Sequence, residues 1–200
     1  MNSRYSVAVA GSLVLFSCAS LHAQEQRPPG DDTAVEATVG NSVLQLRYLA
    51  PSPFSFRSDL DYGFLLSEDR DIIASAALMV PIDIHIAPRL TFEVGPQGYL
   101  ADLNAVQKTD VFAIAPGANV RYEFVHRWGL AAFGSAFYSP GVLTFGNADN
   151  LYDFTAGGEM RFTRSLTGLA GYRWLKFTTV GEPNVRVGNE LFAGLRWYPR

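Results

Sequence analysis

Between residues 34 and 198 the chain alternates apolar with polar or small side chains, one for one, in segment after segment. Successive side chains of a strand point to opposite faces, so a period of two marks strands. Residues 152–162 show it most clearly. Tyr152, Phe154, Ala156, Gly158, Met160 and Phe162 share one face, while Asp153, Thr155, Gly157, Glu159 and Arg161 share the other. Residues 57–66, 72–86, 90–100, 111–124 and 190–198 repeat the pattern, whereas 129–139 and 168–178 carry apolar residues on both faces. After the N-terminal segment no apolar run approaches the 18 residues that a membrane-crossing helix requires. Strands must therefore do whatever spanning or enclosing this chain does.

A two-faced set of strands closes in one of two ways. In a water-soluble barrel the apolar face lines the core, and in a membrane barrel it meets lipid while the polar face lines the interior. Three features favour the second. The segments run about 10–14 residues, beyond an ordinary strand and long enough to cross a bilayer at a tilt. Aromatics gather near segment ends on the apolar face, at Tyr62, Phe112, Tyr122, Phe124, Tyr152, Phe162, Trp174 and Trp197, as interfacial girdles require. Charged residues make up 18% of the chain and its only lysines are Lys108 and Lys176, too few for a fully hydrated strand surface. The expected architecture is a closed antiparallel up-and-down transmembrane β-barrel.

Nine segments can be counted, at 34–49, 56–66, 71–86, 89–100, 110–124, 129–139, 151–163, 167–178 and 188–198, whereas bacterial single-chain barrels have an even number. The first contains Gly40-Asn41, where the apolar phase flips from odd (Val35, Ala37, Val39) to even (Leu44, Leu46, Tyr48). An undisturbed strand cannot slip by one residue. Either Gly40 marks a bulge or the segment is two strands, which makes ten; eight remains open if the N-terminal piece lies outside the wall. Short connections near Ala87-Pro88, His126-Arg127 and 163–165, against longer ones at 101–109, 140–150 and 179–187, place the C-terminus on the periplasmic side.

Residues 1–23 read as a cleaved signal peptide, with Arg4 as the positive end, Val7 to Phe16 as the apolar stretch and Ala23 before the cut. Residues 24–33 form a polar, Pro-containing lead, and 34–198 the barrel. The lone cysteine, Cys18, falls in the signal, so no disulfide or cysteine metal site is expected. A competing reading makes 15–18 a lipobox with Cys18 lipidated, for which Phe16 fits poorly. The expected location is the outer membrane of a Gram-negative bacterium, with outer-membrane lipid and, through the C-terminal strand, the insertion machinery as partners. With no basic run, nucleic acid is not an expected partner.

The polar face supplies an expected interior of Arg47, Arg57, Asp59, Asp61, Glu93, Arg121, Glu123, Asp153, Glu159, Arg161, Arg173, Glu190 and Arg196. Its bases are all arginine, which bridges carboxylates in bidentate fashion, and its two signs nearly balance. Such a lining either fills a small barrel with salt bridges or forms a charged constriction in a narrow channel. Catalytic, cofactor and metal sites are not expected. His85 and His126 stand apart from other ligand types, and no nucleophile motif occurs. A soluble lipocalin-like binding barrel and a lipid-modifying enzyme using Ser135 or His126 are the competing functions.

The run 137–152 (FYSPGVLTFGNADNLY), followed by Gly171-Tyr172-Arg173, resembles the YfaZ family of outer-membrane proteins. The matching positions are Tyr138, Ser139, Pro140, Leu143, Phe145, Tyr152, Gly171, Tyr172 and Arg173. The resemblance covers the C-terminal third and implies a barrel-forming, porin-like protein without bringing a substrate. Outer-membrane barrels usually end on an aromatic residue, whereas this chain ends Trp197-Tyr198-Pro199-Arg200.

Overall fold

A computed structural model describes residues 33–52, 58–83, 87, 89–104, 109–125, 129–179 and 185–199. The signal segment, the lead up to residue 32, Arg57, His85 and His126 lie outside the described residues. The strands are β1 (Ala34–Gly40), β2 (Val43–Pro51), β3 (Asp59–Ser67), β4 (Ile72–Ile82), β5 (Leu90–Leu103), β6 (Thr109–Val125), β7 (Leu130–Ser139), β8 (Thr144–Gly146), β9 (Ala148–Arg161), β10 (Leu166–Thr179) and β11 (Val185–Trp197). Neighbours in the ring pair antiparallel, and β11 returns to β1 with Val35 opposite Trp197 and Gly40 opposite Phe192. Closure satisfies the backbone of both edge strands, so the wall has no open edge.

Ten strands form this closed wall, and the Gly40-Asn41 phase slip is the reason. Val39 sits opposite Leu44 across a tight hairpin, so the first segment is two strands with opposite apolar parity. The phase flips because the chain reverses.

The short β8 is a continuation. β7 pairs with β6 from Gly117 to Val125, and β8 pairs with β6 at Val111 to Ala113, farther along the same lane. Pro140, with no N–H to donate, follows the last residue of β7, and a 3-10 turn at Gly141–Leu143 loops out before the lane resumes. The Oγ atoms of Ser139 and Thr144 lie 2.8 Å apart across this break, both buried. Gly146 ends the lane at φ 95°, and a Cβ there would lie 2.3 Å from the Asp110 carbonyl oxygen. Only glycine meets both conditions.

One end of the barrel holds Ala34 and Trp197 and is called here the terminal end; the other is the far end. The expected contrast in loop length between the ends is not present. Strands β5, β6, β9, β10 and β11 run into the ranges read as long loops, so the far-end connections shrink to 104–108 and 180–184. The terminal end in turn carries connections at 52–58 and 83–89 that are no shorter. Pro and Gly mark where a ladder bends but do not show where a strand stops.

The apolar face points outward all the way round. Leu44, Leu46, Tyr62, Phe64, Leu100, Phe154, Leu191 and Leu195 are exposed, Leu100 at 61% and Leu191 at 70%. The outward aromatics form a group at each end. Tyr48 stacks with Tyr62 and Tyr122 meets Phe124 edge-on towards the terminal end. Towards the far end Phe112 stacks on Phe145, and Tyr138, Tyr152, Trp174 and Phe154 form a continuous run.

Candidate functional site

The interior divides into two halves of different chemistry. In the terminal half, seven side chains form one chain of alternating charge across the lumen. Asp61 on β3 binds Arg47 on β2; Arg47 reaches Glu36 on β1 at 3.5 Å; Glu36 accepts from Arg196 on β11 at 2.7 and 2.9 Å. Arg196 continues to Glu159 on β9 at 2.9 Å, and Glu159 accepts from the Arg121 Nε on β6 at 2.6 Å. Arg121 closes the series on Glu123. Glu36 and Glu159, at the inner positions, are each 4% exposed, whereas Arg47, Arg121 and Glu123 keep about a quarter of their side chains open to water. A carboxylate so buried is tolerable only with its oxygens occupied, and two arginine forks occupy each.

A middle layer links this belt to the far half. Tyr99 donates to Asp153 at 2.8 Å, and Arg173 donates to the Gln45 side-chain oxygen while its guanidinium lies 5.1 Å from the Phe192 ring centroid. Glu190 accepts from the Ser42 backbone N–H at 2.7 Å and its hydroxyl at 2.8 Å, tying β11 to the first hairpin. Asn119 donates to Glu93 at 3.2 Å.

The far half is apolar. Val43, Leu65, Ile73, Leu103, Val111, Ala113, Phe137, Leu151, Leu175, Phe177 and Val187 point inward and form one buried cluster, which Tyr99 and Met79 extend towards the terminal end. Leu103, Leu151 and Phe177 have no exposure at all. Side chains from nine of the ten lanes therefore meet across the lumen, with packing that excludes water.

Of the sequence-derived interior residues, Arg47, Asp61, Arg121, Glu123, Glu159 and Arg196 come together in the belt. Glu93, Asp153, Arg173 and Glu190 sit in the middle layer. Asp59 and Arg161 occupy inward positions near the terminal rim, and Arg57 is outside the described residues. Glu36, the acid that joins two arginines, is absent from that set. The unresolved phase of the first segment hid it, although the apolar positions Val35, Ala37 and Val39 leave Glu36 and Thr38 on the opposite face. Gln45, Tyr99 and Ser42 carry no charge, so nothing in the sequence marks them apart from other polar strand residues.

The motif residues of the C-terminal third acquire physical roles. Tyr138 and Tyr152 pack at 4.9 Å on the outward face, and the Tyr138 hydroxyl donates to Asn150. Ser139 and Pro140 make the break before β8, and Phe145 stacks on Phe112. In Gly171-Tyr172-Arg173, glycine makes room for the Phe192 ring, whose Cζ would lie 2.9 Å from a Cβ. Tyr172 faces outward and donates to Asn189, and Arg173 faces inward. Ser135 also points inward, opposite Asn119 and Thr155, and among the described residues no group of three His, Cys, Asp or Glu could hold a metal ion.

Residues 60–194 match the family described as YfaZ precursor. Among solved structures, a bacterial polysaccharide outer membrane secretin is similar with a TM-score of 0.47 at 14% identity, over 82% of this chain and 58% of that one. The chain thus spans little more than half of that relative. A KdgM porin in complex with disordered oligogalacturonate is similar with a TM-score of 0.44 at 12% identity, over 84% of this chain and 99% of that one. No curated protein matches.

Proposed function

The chain belongs to the YfaZ family, and from that premise we propose that it is a non-enzymatic outer-membrane barrel of a Gram-negative cell, closed rather than porous. The observation that carries the closed state is the buried apolar cluster filling the far half of the lumen. An open pore keeps its lining hydrated, and Leu103, Leu151 and Phe177 have no contact with water. Support for the membrane location is the predominantly apolar outward face with aromatic groups at both ends. An exported chain reaches this membrane from the periplasm, so hairpins cross it and the paired termini stay behind. The terminal end, with its hydrated belt, is then periplasmic, and β11 is the strand offered to the insertion machinery.

A narrow channel is the second reading, favoured by the partly hydrated Arg47, Arg121 and Glu123. Planar-bilayer recording of the refolded chain separates the two. The closed reading expects no discrete conductance, and regular single-channel steps would overturn it. Release by osmotic shock without detergent would overturn the membrane location itself.

A further inference from the structure

Outside the wall, at mid-height, the apolar face is hollowed. A groove of about 750 Å³ crosses β6, β7, β9 and β10, with Ala118, Ala136 and Ala156 as its floor and Phe92, Phe154 and Trp174 standing around it. At its β10 corner the outward face changes character. Two residues beyond Trp174 towards the far end, a step of roughly 6.6 Å along a strand, stands Lys176. Arg186 on β11 is directly opposite it. Both point outward, because Leu175, Phe177 and Val187 on either side are buried inside.

Two cations facing each other across a ladder repel and weaken the pairing. Neither is ion-paired among the described residues. The other arginines of the described strands point inward, so Lys176 and Arg186 are the cations of the outward strand face. An uncompensated pair at the edge of an apolar surface is stabilised by an anion that arrives with its own apolar portion. A phosphorylated lipid is such an anion.

We propose that this corner binds one acylated, phosphate-bearing lipid of the outer leaflet, with an acyl chain in the groove and the phosphate between Lys176 and Arg186, phosphatidylglycerol serving as the probe of that chemistry. The proposal rests on the membrane reading above, because only then does the far end lie at the outer leaflet. The phosphate cancels the cross-strand repulsion, and the aromatic walls hold the chain against the alanine floor.

The test is native mass spectrometry of the refolded full barrel in detergent, titrated with phosphatidylglycerol or with phosphatidylcholine of the same acyl chains. The parent protein is expected to prefer phosphatidylglycerol on the order of tenfold, from two surface cations. Lys176→Gln with Arg186→Gln should abolish that preference and leave phosphatidylcholine binding unchanged. Ala136→Phe, which fills the groove from its exposed floor, should weaken both lipids alike. Equal binding of the two lipids by the parent, or an undiminished preference in the double variant, overturns the headgroup assignment. Unchanged binding by Ala136→Phe overturns the groove. Failure of the membrane reading shows separately, as a chain that stays soluble without detergent before any lipid is added.

Discussion

Replacing Glu36 by glutamine removes the acid that joins two arginines in the interior belt. Its Oε2 accepts from Arg196 at 2.7 and 2.9 Å, its Oε1 lies 3.5 Å from Arg47, and its side chain is 4% exposed. Breaking a buried ion pair by removing one partner costs about 3–5 kcal/mol. The loss here is smaller, because Arg47 keeps Asp61, Arg196 keeps Glu159, and both arginines touch water. About 2–3 kcal/mol is expected for Glu36→Gln on that basis. Urea unfolding of the barrel in lipid vesicles, followed by tryptophan fluorescence, measures it. Arg196→Met should cost a similar amount, and the double variant should fall short of the sum by about 2 kcal/mol, since both ends of one contact are then gone. Additivity within about 0.5 kcal/mol would refute the belt as a coupled network.

Phe177→Ala leaves a cavity in the fully buried far cluster and is expected to cost about 3–5 kcal/mol in the same urea assay. Leu46→Arg, on the outward face of β2, should cost about 2–4 kcal/mol in vesicles if that face meets hydrocarbon, and next to nothing if it meets water. Gly146→Val forces a β-branched residue to φ 95° against the Asp110 carbonyl, and should lower the unfolding free energy by about 1–3 kcal/mol without shifting the mobility of the folded form on a detergent gel.

Period-two alternation made the wall legible, because a closed sheet obliges each strand to present one face outward. Even the Gly40-Asn41 slip pointed to a hairpin. The belt was legible in part, since Arg47, Arg121, Glu159 and Arg196 betray themselves as charges on the inward parity. Glu36 escaped because the parity of β1 depended on deciding that the chain turned there. The apolar far half was not legible, for a physical reason. Once a strand is apolar on both faces, as at Trp174 and Leu175, alternation fades, and only the closed geometry shows that Leu175 and Phe177 join Leu103 in one cluster within the lumen. Strand ends were misjudged at 101–103 and 148–150, where the turn-compatible Asp102 and Asn150 sit inside paired strands, and at 185–187, where Val185-Arg186-Val187 pair with β10 ahead of the turn-compatible Gly188-Asn189.

In the proposed function the exposed apolar face of the closed ten-stranded wall meets lipid. Spin labels on single cysteines at 193, 194, 195 and 196, introduced into a Cys18→Ser chain refolded in vesicles, test it most directly. Labels at 193 and 195, replacing the outward Ala193 and Leu195, should show high accessibility to oxygen dissolved in the bilayer. Labels at 194 and 196, replacing the inward Gly194 and Arg196, should show low oxygen accessibility. Loss of the alternation, or its reversal with 194 and 196 in lipid, would contradict the account.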